Sequence, residues 1–134
     1  MQSIQKVQKA IYEIINSQIT GELANINGVF HYIPQETNFP YIHLDNGKVE
    51  EISDFKNDMF KVSIKINVFD KSKSNSITMN LCEEIRTLLI DINNLNIENY
   101  NILDSKHKSC EISMENNREI WKGEMEFEII VKKN

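Results

Sequence analysis

The sharpest signal along the chain is an alternation in which Phe60, Val62, Ile64, Ile66 and Val68 are apolar and Lys61, Ser63, Lys65 and Asn67 between them are polar. A period of two puts successive side chains on opposite faces of a strand, so this stretch predicts a strand with one buried and one wet face. Two other stretches repeat at three and four. Ile4, Val7, Ala10, Ile11, Ile14 and Ile15 mark one face of a helix from Ser3 to about Ser17, with Ser3 placed to cap its first turn and Thr20-Gly21 ending it. Ile77, Leu81, Ile85, Leu88, Leu89 and Ile92 mark a second amphipathic helix after the polar loop Asp70 to Ser76, closed by Asn93-Asn94.

The remaining apolar positions are arranged less regularly. Glu22 to Ile26 fits a short helical turn ahead of Asn27-Gly28, a dipeptide that tolerates positive φ. Val29 to Ile33 is a short strand, and Pro34 after it cannot donate to a ladder, which places this piece at a sheet edge. Tyr41, Ile42 and Leu44 open a further strand that runs weakly on through Val49 and Ile52. Asp45-Asn46-Gly47 interrupts it, as either a bulge or a tight turn. Tyr100 to Met114 and Ile120 to Val131 read as a closing hairpin turned at Asn116-Asn117, two residues tolerant of left-handed backbone.

The order is therefore α-β-β-β-α-β-β, an α+β class: a mainly antiparallel sheet with two helices packed on one face. A doubly wound parallel sheet needs more crossover helices than this pattern supplies. No internal repeat and no Pro/Gly/Ser linker divides the chain, so residues 1–134 form one domain. At 134 residues such a domain buries roughly two-thirds of its unfolded surface and needs neither disulfides nor a structural metal.

Composition narrows the partners. A net charge of −5 without long runs of like charge argues against a nucleic-acid backbone or an anionic membrane as the main partner. No segment reaches the roughly 18 apolar residues of a membrane span, and MQSIQKVQKAIYEII lacks a signal-peptide core, so the expectation is a protein that is cytoplasmic when made. Cys82 and Cys110 show no CxxC spacing and read as ordinary buried thiols of a reduced compartment.

Catalysis needs convergent polar groups, and none stand out. His31, His43 and His107 are isolated, with no HxH or HExxH spacing for a metal. Glu50-Glu51, Glu83-Glu84 and the row Glu124, Glu126, Glu128 sit at adjacent or alternating wet positions rather than in apolar surroundings that would tune a general acid. Cys82 has no evident activating cation. There is no GxSxG and no Gly-rich phosphate loop. The expectation is a non-enzymatic chain without cofactor.

The unusual stretch is Val29 to Leu44, VFHYIPQETNFPYIHL, where two prolines and four aromatics surround a polar centre. As composition it is a connection whose prolines restrict φ and whose Phe30, Tyr32, Phe39 and Tyr41 cover a core edge. As a pattern, Ile33-Pro34-Gln35 followed by Phe39-Pro40-Tyr41-Ile42 resembles the Pro-Gln…Pro-Tyr marker of the small tail-completion (tail-terminator) proteins of long-tailed phages, prophages and gene-transfer agents. The layout agrees over almost the full length: an opening helix, a central strand closing on an aromatic and a small polar residue, a second helix after a polar loop, and a closing hairpin. The family's central strand usually closes on Trp-Ser, where this chain has Phe69-Asp70.

The resemblance implies a structural assembly protein: a ring, commonly a hexamer of the chain itself, that caps the major tail tube protein, stops its elongation and meets the head connector. It implies assembly in the bacterial cytoplasm and residence in the virion tail. Pro34, Gln35, Phe39, Pro40 and Tyr41 become candidate subunit or tube contacts, since proline-fixed, aromatic-bearing backbone loses little entropy on binding; internal packing is the alternative. Another neck or tail adaptor of the same fold is the second reading, and a small ligand-binding or enzymatic domain the third.

The last strand adds a further candidate. Trp121, Met125, Phe127, Ile129 and Val131 share one face, with a gap at Gly123, and the other face carries Lys122, Glu124, Glu126 and Glu128. Turned into a ring's lumen, the three glutamates would repel passing DNA phosphate within a Debye length of about 8 Å. Alternatively, Lys61 and Lys65 pair with them across the sheet.

Overall fold

The structure, a computed structural model, describes residues 2–52 and 58–134. Helix α1 (Gln2–Asn16) and a 3-10 turn (Glu22–Asn25) lead into strands β1 (Val29–Phe30), β2 (Tyr41–Leu44), β3 (Lys48–Glu51) and β4 (Met59–Asp70). Helix α2 (Ser76–Ile90), a second 3-10 turn (Ile92–Asn94) and the hairpin β5 (Tyr100–Glu115) and β6 (Ile120–Lys133) complete the chain. The strands form one sheet in the order β1-β2-β4-β6-β5, with β3 also paired to β4. All pairings are antiparallel except β1 with β2. This is the expected α+β class.

The central strand owes its place to its alternation. β4 pairs with β6 along its whole length, and Phe60, Val62, Ile64 and Ile66 stand opposite Val131, Ile129, Phe127 and Met125. Two apolar rows thus share one face, and both helices cover it. Val7, Ala10, Ile11 and Ile15 of α1 and Leu81, Cys82, Ile85 and Leu89 of α2 join these rows in a single buried core. Burial of that area is the main term holding the fold. Among the described residues no helix covers the opposite face.

β2 and β3 resolve the interrupted strand. Leu44 faces Ile66 and Lys48 faces Ser63, so Asp45, Asn46 and Gly47 span the gap opposite only Ile64 and Lys65. The interruption is a one-residue bulge, and Asp45 keeps the ladder going by donating its amide to the Lys65 carbonyl at 3.0 Å. The expected hairpin turn at Asn116-Asn117 is present, with positive φ at Asn116, Asn117 and Arg118.

Three local expectations are corrected. Ser3 does not cap α1, which already begins at Gln2; it lies on the buried face one turn before Val7, and its hydroxyl has no partner among the described residues. The first strand stops at Phe30 rather than Ile33, because the chain leaves the sheet edge to form the loop before Pro40. Helix α2 ends at Ile90, where Asp91 takes extended backbone and its carboxylate accepts the Asn93 amide at 3.0 Å, starting the 3-10 turn that contains Asn93-Asn94.

The first 3-10 turn is anchored from a distance. Glu84 of α2 accepts the amides of Glu22 at 3.0 Å and Leu23 at 3.1 Å, the orphan donors of a helical start. Gly21, at φ 72, lets the carboxylate in, since a Cβ there would lie 2.5 Å from Glu84 Oε1. Glu84→Ala is expected to cost about 1–2 kcal/mol of stability in urea unfolding, and Glu84→Gln less, since it keeps one acceptor. Equal losses for the two variants would contradict this role.

Candidate functional site

The marker segment forms the connection between the parallel strands β1 and β2 at one edge of the sheet. Its ends are tied down by backbone: Ile42 donates to the Gly28 carbonyl at 3.0 Å and Asn27 to the Pro40 carbonyl at 2.8 Å. The Asn27 side-chain amide also reaches the Phe39 carbonyl at 3.0 Å. Within the loop, the Thr37 hydroxyl donates to the Pro34 carbonyl at 2.6 Å, and Glu36 takes a positive φ of 62°. The Phe39-Pro40 peptide is cis.

The structure divides the candidate contact residues into two groups. Phe39, Pro40 and Tyr41 are half-buried. Tyr41 lies between Phe39 and Phe69, with ring centroids 5.2 Å away on each side, and Phe30 meets its edge at 6.3 Å. Lys122 continues the row, its ammonium 5.9 Å from the Phe69 centroid, within cation–π range. Partial burial, and then the Glu115 carboxylate, hold the Tyr41 phenol above its ordinary range. Pro34 and Gln35 are exposed, and Tyr32 beside them is 87% exposed. Sequence reasoning placed Tyr32 among the residues covering a core edge; it points outward instead.

Two histidines fix this edge. The His43 Nε2–H donates to the His31 carbonyl at 3.0 Å while its Nδ1 accepts from the Asn67 amide at 3.2 Å. The same amide reaches Asp45 Oδ2 at 3.4 Å. β4, β2 and the loop are thereby tied through one imidazole, in a chain of hydrogen bonds that is structural in character. At the same end of β4, next to Phe69, Asp70 is buried, accepts the Ser72 hydroxyl at 2.6 Å and faces Trp121, whose indole N–H reaches the Ser72 carbonyl at 3.2 Å.

Glu124, Glu126 and Glu128 stand on the open face of β6 opposite Asn67, Lys65 and Ser63. Lys65 pairs with Glu124 at 3.9 Å, as one cross-sheet alternative anticipated, whereas Lys61 reaches Glu50 at 3.9 Å. Glu124 also meets Lys122 at 3.4 Å, and Glu128 meets Lys108 at 3.6 Å. These exposed pairs contribute about 0–1 kcal/mol each, but they interleave positive charge with the row. Among the described residues Glu126 has no ion pair.

The structure also joins two residues that sequence separation kept apart. Cys82 of α2 and Cys110 of β5 line one cavity of about 160 Å³ with Met79, Arg86, His107 and Met125; Cys82 is buried as expected, whereas Cys110 is exposed because its strand is at the sheet edge. Cys82 fills the gap at Gly123, where an added Cβ would sit 2.6 Å from its sulfur. Burial first, and then the neighbouring Cys110 thiol, push the Cys82 thiol far above its usual range. His107 packs on Phe127 at 5.0 Å, and its Nε2 is buried without a partner among the described residues. No cluster of three or more potential metal ligands occurs among the described residues, and none of the described helices is long and apolar enough to cross a membrane.

No family model matches the chain, and no curated protein is similar to it in sequence. Its fold has a solved counterpart. A chain in the virion of a native gene transfer agent particle superimposes with a TM-score of 0.81 at 13% identity, over 94% of this chain and 94% of that one. At that identity the likeness is one of fold.

Proposed function

We propose that this chain is a virion structural protein of a long-tailed phage or a related particle, acting as the subunit that caps the tail tube, ends its elongation and forms the surface that joins tail to head. The observation that carries this reading is the likeness in fold, over 94% of each chain, to a chain of a gene transfer agent virion. The Pro34-Gln35 and Phe39-Pro40-Tyr41 marker points the same way from sequence. The role is one of binding, not catalysis. It fits a domain whose distinctive features are an exposed loop at one sheet edge and an uncovered sheet face, rather than a pocket with converging titratable groups.

The working form on this reading is a closed ring of copies, a hexamer by resemblance, because a head-to-tail contact that closes gives a cycle and one that does not gives a filament. Its partners are the tube protein on one side and the head connector on the other. The loop 31–41 supplies a contact: Tyr32, Pro34 and Gln35 are outside, and the aromatic row Phe39, Tyr41 and Phe69 holds them in place. If the open sheet face turns to the ring axis, Glu126, the row member without a cation partner among the described residues, is its remaining negative point between Glu124 and Glu128.

Deleting the gene tests the assignment. Negative-stain images of the mutant particles are expected to show tails of irregular, excessive length that carry no head, and supplying the protein in trans restores uniform joined tails. Tails of normal length joined to heads would sink the proposal. Tails of normal length without heads would favour an adaptor that binds the connector and not the tube.

A further inference from the structure

Cys82 and Cys110 are 28 positions apart and on different elements, one in the α2 face that covers the sheet and the other on edge strand β5. Their side chains nevertheless line one cavity, with Met125 and His107 between the same walls. Two features of the fold produce this meeting. Gly123 on β6 leaves room that the Cys82 sulfur occupies, and the second bulge of β5, between His107 and Ser109, shifts the side-chain phase so that Cys110 comes opposite Met125 on the helix-covered face. Without that bulge Cys110 would point to the open face.

We propose that Cys82 and Cys110 are a site of reversible oxidation, closing to a disulfide that staples α2 to β5. The two sulfurs have separate parts. Cys110 is exposed and meets the oxidant, whereas Cys82 is only 5% exposed and is reached through Cys110. With a hydroperoxide as oxidant, the Cys110 sulfur attacks the distal oxygen and the O–O bond breaks. The alcohol leaves with the thiol proton, and Cys110 becomes a sulfenic acid. The Cys82 sulfur then attacks the Cys110 sulfur, the S–S bond forms and the S–O bond breaks. The departing hydroxide takes the Cys82 proton as water. Each sulfur gives up one electron and the peroxide accepts two. Thiol reductants reverse the bond by exchange.

The chemistry rests on the two sulfurs alone; its timing rests on the virion reading. A virion subunit assembles in a reducing cytoplasm and leaves with the particle for an oxidising exterior. The pair is thus open while the ring is being built and closed in the released particle, where a staple closing a loop of this length restricts the unfolded chain.

The test begins with the reduced full-length protein and tert-butyl hydroperoxide. Loss of about 2 Da, a Cys82–Cys110 linked peptide in a non-reducing digest and a melting temperature raised by about 5 °C or more are expected, all reversed by dithiothreitol. Cys82→Ser is expected to leave a Cys110 sulfenic acid that a dimedone probe traps, and Cys110→Ser to abolish the reaction. An oxidised Cys110 beside a Cys82 that still alkylates after unfolding would overturn the site. Particles blocked with an alkylating reagent at harvest test the timing: linked in released particles and free inside cells is expected, and free thiols in released particles would overturn it. Absence of the protein from particles would remove the virion reading and leave the thiol chemistry standing.

Discussion

Replacing Phe127 with alanine is expected to lower the unfolding free energy by about 4 kcal/mol, the largest single loss in the core. Phe127 is fully buried, and it stands on β6 between Ile64 of β4 and His107 of β5. Met125 and Ile129, its neighbours on the same face, are buried as well. The loss combines the transfer energy of the ring with the cavity left behind. That cavity closes poorly here, because β6 is held by one ladder to β4 and another to β5. A domain of this size has about 5–15 kcal/mol in all, so the variant keeps little margin. In urea unfolding the midpoint should fall with an unchanged slope, and the melting temperature should drop by roughly 15 °C. Ile19→Ala is the control: Ile19 is 89% exposed, and its replacement should move stability by less than about 0.5 kcal/mol. A Phe127→Ala loss under about 1 kcal/mol would mean that β6 does not present this face to the helices.

The elements that could be read from the sequence were those whose own pattern is complete. β4 shows its period of two over most of its length, and only Asn67, buried by its bonds to His43 and Asp45, breaks the wet row. Helix α1 shows its period just as plainly, but Ser3 did not act as the cap that its residue type suggests, since tertiary burial took that position into the apolar face. Asp45-Asn46-Gly47 stayed open between bulge and turn because the answer lies in the partner: only the register of β4 reveals three residues against two. β5 carried a weak signal for a related reason. Its two bulges put Ser105 and His107, then Cys110 and Ile112, on the covered face, so no single alternation runs through it. The meeting of Cys82 with Cys110 had no local trace beyond the gap at Gly123.

The candidate contact segment was legible as a place and not as a surface. Its prolines and aromatics marked it, but which aromatic packs and which projects depends on Phe69, a residue 28 positions beyond Tyr41 that forms the other side of its stack. Phe69 stands at the end of β4, where its large flat ring supports Tyr41 and receives Lys122.

Tyr32→Ala is expected to weaken assembly at least about 30-fold while leaving the fold intact. Aromatic side chains that become buried at the centre of an interface commonly contribute 2 kcal/mol or more, which is that factor. Tyr32 is 87% exposed, so its removal leaves no cavity in the free subunit. The loop that carries it is already ordered by the Thr37–Pro34 bond and by Asn27 at Phe39, so little freedom is lost on docking. Phe39→Ala and Tyr41→Ala lack this separation, because both rings belong to the internal stack and their loss lowers stability as well. The discriminating measurement pairs two readouts on Tyr32→Ala: its melting temperature, and its ability to restore uniform, head-joined tails in a strain lacking the gene. An unchanged melting temperature with failed restoration places the contact at the loop. Full restoration, with wild-type binding to the tube, would move the contact elsewhere, and the uncovered sheet face around Glu126 would be the next surface to test by charge reversal.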